Sequence, residues 1–144
     1  MKAITIIQPW ATLIAVGEKR FETRSWATKH RGPIAIHAGK KINKEACQQE
    51  DIQKALARHG YTVDNLPTGA VVAIATMVFP HQVDEDNGSI AVLSNDESVQ
   101  GDEIWFGDFS LGRYAWELTN VERLQEPIPA KGQQGLWNWE GVQP

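Results

Sequence analysis

Between residues 69 and 79 the chain runs Gly-Ala-Val-Val-Ala-Ile-Ala-Thr-Met-Val-Phe without a single charge. A strand of this kind has no polar face to offer to water, so both of its sides need cover. It belongs in the interior of a sheet, and the rest of the chain has to supply neighbouring strands and packing layers. No apolar run approaches the roughly 20 residues of a membrane span. Met1-Lys2 leads straight into a short strand pattern rather than a signal peptide. The expected location is therefore cytoplasmic, with no membrane partner. The 144 residues amount to about one domain, expected over 1–144. The single cysteine, Cys47, excludes an internal disulfide framework and a Cys-based zinc ribbon.

Around that central segment the pattern alternates between strand and helix. Residues 2–7 form a β-branched run that stops at Gln8-Pro9, and proline suits a first helical turn. Trp10, Leu13 and Ile14 recur at helical spacing, and Gly17 fits the position just past a helix end. Residues 19–24 alternate as a strand: Arg20, Glu22 and Arg24 on one side, Phe21 and Thr23 on the other. A polar loop with Trp26 leads to a strand over 33–38, where His37 faces away from Ile34 and Ile36. Asn43 can cap a helix running to about Arg58 and ending at Gly60. Residues 81–100 are acidic and weakly patterned, which predicts a surface loop. A further strand alternates over 112–121, and residues 127–139 mix Pro, Gly and Trp as irregular cover. Five or six strands and two helices predict an α+β fold, a small mixed β-barrel with flanking helices.

Charge is unevenly spread. Residues 1–44 hold nine Lys or Arg against two Glu, a net of +7, and residues 45–144 hold five against sixteen acids, a net of −11. Such asymmetry points to an anionic partner for the basic part, unless folding sets distant acids beside these bases. There is no P-loop, HExxH, GxSxG or CxxC, and the four histidines lack metal-ligand spacing. No metal or cofactor is expected. The remaining candidate is Gly17-Glu18-Lys19-Arg20-Phe21-Glu22-Thr23-Arg24. Glu22 and Arg24 share a strand face, whereas Lys19 needs a twist or bend to join them. Converging, the three would make a pocket able to hold an anion or the polar edge of a base. Left apart, they would be an exposed ladder of ion pairs. Trp26 stands in a polar loop without apolar neighbours in sequence, and an aromatic beside guanidinium groups offers a stacking surface for a nucleobase. Trp116 shares a strand face with Tyr114 and Leu118 and is expected in the core.

Gln8-Pro9-Trp10-Ala11 after a first strand, then Gly17-x-Lys19-x-x-Glu22-x-Arg24, Trp26, Arg31-Gly32 and Ile36-His37-Ala38, resembles the ASCH domain (activating signal cointegrator homology) of the PUA-like superfamily. The resemblance implies a PUA-like barrel whose cleft floor is Lys19, Glu22 and Arg24. It implies a nucleotide-binding set of Gln8, Trp10, Lys19, Glu22, Arg24, Trp26, Arg31 and His37. The implied partners are RNA, single-stranded nucleic acid or a modified nucleoside, with a protein partner also compatible. Some small relatives are hydrolases, ribonucleases or amidohydrolases of acetylated cytidine, in which case Lys19, Glu22 and Arg24 would be catalytic. The amidohydrolases carry threonine where this chain has Glu22, and Thr23 is expected to face away.

Overall fold

The computed structural model of the chain describes residues 1–141; the last three positions of the expected 1–144 domain lie outside the described residues. In order the elements are β1 (Lys2–Gln8), α1 (Trp10–Ala15), β2 (Phe21–Arg24), β3 (Gly32–Ile42), α2 (Lys44–Gln48) and α3 (Glu50–Ala57). They continue with β4 (Ala70–Asp86), β5 (Ala91–Leu93), β6 (Ser98–Val99), α4 (Asp102–Trp105), β7 (Tyr114–Pro129) and β8 (Leu136–Asn138). The α+β class is as expected. No helix among the described residues is long and apolar enough to cross a membrane.

The uncharged segment lies in β4, interior to a sheet of order β2-β7-β4-β3-β1-β8. Val72, Ala73, Ala75 and Met77 bury against Ile4, Ile34, Ile36 and Trp116 on one side, and Val71 joins Ala3, Ala35 and Trp137 on the other. Adjacent Val72 and Ala73 reach the same cluster because the β4–β7 register shifts between Val71 and Ala73. Further shifts follow at Ile74/Thr76 and Met77/Phe79, and bulges of this kind bend and coil a strand pair.

Three stretches differ from the sequence reading. The expected loop over 81–100 is the end of β4 plus β5 and β6, with Val83, Ala91, Leu93 and Val99 buried against Phe21 and Phe109. Its few apolar residues are diluted by acids, so composition concealed the strands. The expected irregular tail holds the end of β7 and β8, which pairs antiparallel with β1. The single helix expected from Asn43 is split, because Gln49 is extended at ψ 130°. Asn43 does cap α2, its side chain accepting from the Ala46 N–H at 3.0 Å.

The expected closed barrel is not found among the described residues, because the strand path ends at β2 and at β8 with no ladder joining them. β8 covers β1 only from Lys2 to Ile4. The outer side of β2 is occupied by the chain around Asp108: the Asp108 N–H donates to Thr23 Oγ1 at 3.0 Å and Arg113 Nη2 donates to the Thr23 carbonyl at 3.3 Å. The coiled sheet nevertheless brings β2 back to β1, where Arg24 Nη2 donates to the Thr5 carbonyl at 3.0 Å. A side chain thus bridges the seam that a backbone ladder would otherwise close.

Trp116 is 1% exposed at the middle of this core. Its indole N–H donates to the Trp26 carbonyl at 3.1 Å, and its ring meets that of Trp26 edge to face at 4.8 Å. Trp116→Ala should cost about 3–5 kcal/mol in urea unfolding, and the half-exposed Trp26→Ala clearly less. Equal costs would show that the two rings act as one core unit.

Candidate functional site

The seam between β1 and β2 opens into a cleft of about 500 Å³. Its walls are Thr5, Ile6 and Ile7 of β1, Trp10 of α1, Lys19 and Glu22–Arg24, and the chain from Trp105 to Asp108 with Arg113. Lys19 arrives by a route that strand parity does not describe. Gly17, at φ +83°, lets the Gly17 and Glu18 N–H groups donate back to the Ile14 and Leu13 carbonyls, a Schellman helix end. The Lys19 N–H also donates to Leu13, so the helix terminus and not β2 sets its direction.

Lys19 is 2% exposed, and its Nζ donates to the Phe106 carbonyl at 2.6 Å. Gly107 permits this approach, since a Cβ there would lie 3.2 Å from Lys19 Nζ and 3.1 Å from Thr23 Cγ2. Burial pulls the Lys19 amine below the usual lysine range; Glu22 and Glu103 oppose that shift and Arg24 adds to it. Burial also pushes the Glu103 carboxyl up, against the charge of Lys19 and backbone N–H donors. Glu103 Oε1 accepts from the Arg20 N–H at 2.8 Å, and its Oε2 has no partner among the described residues.

Glu22 Oε2 accepts from Arg24 Nε at 2.9 Å and lies 2.8 Å from Arg24 Nη2 as an ion pair. That leaves Glu22 Oε1 without a donor among the described residues, a carboxylate oxygen able to accept from a ligand N–H. The exposed ion-pair ladder is therefore not what forms: Lys19 and Glu22 are buried and the three side chains converge. Trp105, 48% exposed, faces the same cleft as Trp10, so two indoles flank the charged floor.

Other expected site residues are elsewhere. Gln8 is fully buried; its amide donates to Thr12 Oγ1 and the Pro67 carbonyl, both at 2.7 Å, and accepts from the Thr12 N–H at 2.9 Å. It caps the start of α1, where Pro9 cannot. Trp26 does have an apolar neighbour, Trp116, and does not line the cleft. Arg31 lies over the Phe79 ring at 4.6 Å and donates to the Thr28 and His30 carbonyls. His37 bonds Thr5 Oγ1 and the Ala130 carbonyl on the far side of β1. Thr23, expected to face away, lines the cleft because the chain at 107–108 folds over the edge of β2. Trp105, Gly107, Asp108 and Arg113 were missed. The run Trp105-Phe106-Gly107 follows an acidic pair with neither helical nor strand period, and an indole beside a glycine was the one available signal.

The Lys19 environment has a consequence for pH. Below its folded-state pKa both states carry the proton, and this group adds no slope. Between that lowered value and the unfolded lysine value the unfolded chain binds the extra proton, so stability rises with pH across that window. Subtracting the urea midpoints of Lys19→Met from those of the wild type should leave that rise; a difference that falls with pH would mean Lys19 is not destabilised by burial.

The model of one family, the ASCH domain, matches residues 4–129. The match runs from within β1 to the end of β7 and includes every cleft residue named above. A search of the curated proteins finds no significant match. With most of its length, and its whole cleft, inside that match, the chain belongs to the ASCH domain family.

Proposed function

We propose that this domain binds RNA by taking one unstacked base, or a modified nucleoside, into the seam cleft. The observation that carries this is the joint placement of Trp10 and Trp105 with Glu22 Oε1, Arg24 and Arg113 in one opening. Aromatic faces stack any base, and single-stranded RNA exposes the base edges that such side chains read. The open carboxylate oxygen would accept from a base amino or imino group. Arg24 and Arg113 spend Nε and Nη2 on protein acceptors, which leaves Nη1 of each for base or phosphate oxygen. The ~500 Å³ volume lies in the ordinary range for small-molecule sites. Membership of an RNA-associated family supports the same reading. Trp26 and Arg31 stand as outer contacts for the flanking strand, and a cytoplasmic RNA is the proposed partner.

The buried Lys19 favours a second reading, hydrolysis of RNA or of an N-acylated cytidine. An amine held below its usual pKa reaches its neutral form more readily and could serve as a general base, with Glu22 orienting water. Thr23 adds a hydroxyl to the cleft, although that oxygen already accepts from the Asp108 N–H.

Titration with single-stranded RNA hexamers, their duplexes and N4-acetylcytidine, recording binding and product together, separates these readings. Binding predicts a preference for single strands and a loss of about 1–3 kcal/mol in Trp105→Ala, the usual cost of a lost base stack, with an almost unchanged melting temperature. Lys19→Arg, which keeps the charge but cannot deprotonate, should retain much of the affinity, and Lys19→Met should not. Turnover that rises with pH and vanishes in both Lys19 variants establishes hydrolysis instead. Equal affinity for duplex and single strand, unaffected at Trp105, would remove the cleft from the function.

A further inference from the structure

On the far side of Thr5 lies a second cavity, of about 410 Å³, lined by Lys40, Lys131, Gly69, Gly132 and His37 and by no Asp or Glu. In a chain of net charge −4, a concavity with two ammonium groups and no carboxylate is electrostatically specific. Its floor is a fixed relay. An indole N–H can only donate, so Trp137 Nε1 donates to Thr5 Oγ1 at 3.1 Å. A carbonyl can only accept, so His37 Nε2 donates to Ala130 at 2.7 Å. In the neutral ring His37 Nδ1 is then the acceptor for the Thr5 hydroxyl at 3.1 Å. Gly132 sits against this relay so closely that a Cβ would come within 2.7 Å of Thr5 Oγ1 and 2.8 Å of His37 Cε1. Among the described residues, none of the N–H groups of residues 131–134 donates to a protein acceptor. The loop 131–134, seated on the relay at Gly132, thus leaves its N–H groups unspent on a wall that also carries Lys40 and Lys131, donors suited to a phosphate oxygen.

We propose that this second cavity is a phosphate subsite, which takes the backbone of the same RNA strand whose base enters the seam cleft. The proposal rests on the RNA-binding reading for its ligand, and on Lys40, Lys131 and the loop 131–134 for its chemistry. Thr5 is the shared wall: its carbonyl holds Arg24 on the cleft side and its hydroxyl holds His37 on the other. The two cavities are thus one residue apart, and a strand crossing β1 beyond the end of β8 meets both.

Two measurements test this on the full chain with Lys40→Gln/Lys131→Gln, two exposed side chains outside the seam cleft. In amide NMR, inorganic phosphate should shift the Gly132 and Gln133 signals saturably in the wild type and not in the double variant. With RNA hexamers, the slope of log affinity against log salt should fall by about 0.7 in the variant, the share of one single-strand phosphate contact. N4-acetylcytidine, which carries no phosphate, should bind both proteins alike. Saturable phosphate shifts without any RNA binding would sustain the anion site and sink the RNA reading. No phosphate response at 131–134, or an unchanged salt slope with hexamers that do bind, would overturn the subsite while leaving the base cleft standing.

Discussion

One guanidinium decides the shape of this molecule. Arg24 donates Nε–H to Glu22 Oε2, keeps Nη2 within 2.8 Å of the same oxygen, and donates from Nη2 to the Thr5 carbonyl. A carboxylate as buried as Glu22 needs a compensating charge, since removing one partner of a buried pair leaves the other at a cost of about 3–5 kcal/mol. Because the same side chain also grips β1, pairing Glu22 and joining β2 to the uncovered end of β1 are one event. A ladder between β1 and β2 would have paired the backbone of residues 5–7 and left no opening. The side-chain bridge holds the ends together at a single point and leaves a cleft beside it. The open sheet and the candidate cleft are therefore the same feature.

The electrostatics around that bridge are graded by burial. Lys19, Glu22, Arg24 and Glu103 alternate in sign, and Lys19 feels both carboxylates as well as Arg24. Burial still dominates for Lys19 and for Glu103, which moves each toward its neutral form. Lys19 lines the cleft and Glu103 lies behind it, and perturbed groups in a cleft mark functional sites more often than chance.

Much of this was legible from local rules, and the failures share one cause. Strand parity placed Glu22 and Arg24 on one face because both lie inside β2. It misplaced Lys19, whose backbone belongs to the terminus of α1, and Thr23, whose surroundings come from Asp108 and Arg113. The neighbour that Trp26 lacks in sequence arrives from β7, ninety positions later. The strands within 81–100 were hidden because they are short: Ile90-Ala91-Val92-Leu93 is a single run of four apolar residues, and Val83 and Val99 each stand alone between polar neighbours. Periodicity describes what a segment does alone, and these features exist only where distant segments meet.

The charge asymmetry of the sequence resolves in the same way. Part of it is cancelled by folding, where Arg20 pairs with Glu97 at 3.1 Å; the pairing of Glu18 with Arg58 and His59, each at 3.0 Å, instead spends an acid of the basic part on bases of the acidic part. These pairs are exposed or half-exposed and contribute little to stability, but they remove bases and acids from the available surface. What survives cancellation is more informative than the net count. Lys40 and Lys131 form no ion pair among the described residues, and both border the cavity beyond Thr5; Arg24 and Arg113 keep part of their donor sets in the seam cleft. A basic stretch of sequence becomes a basic surface only where the fold withholds the matching acid: in the seam cleft Glu22 and Asp108 meet Arg24 and Arg113, whereas the cavity beyond Thr5 has no acid in its lining.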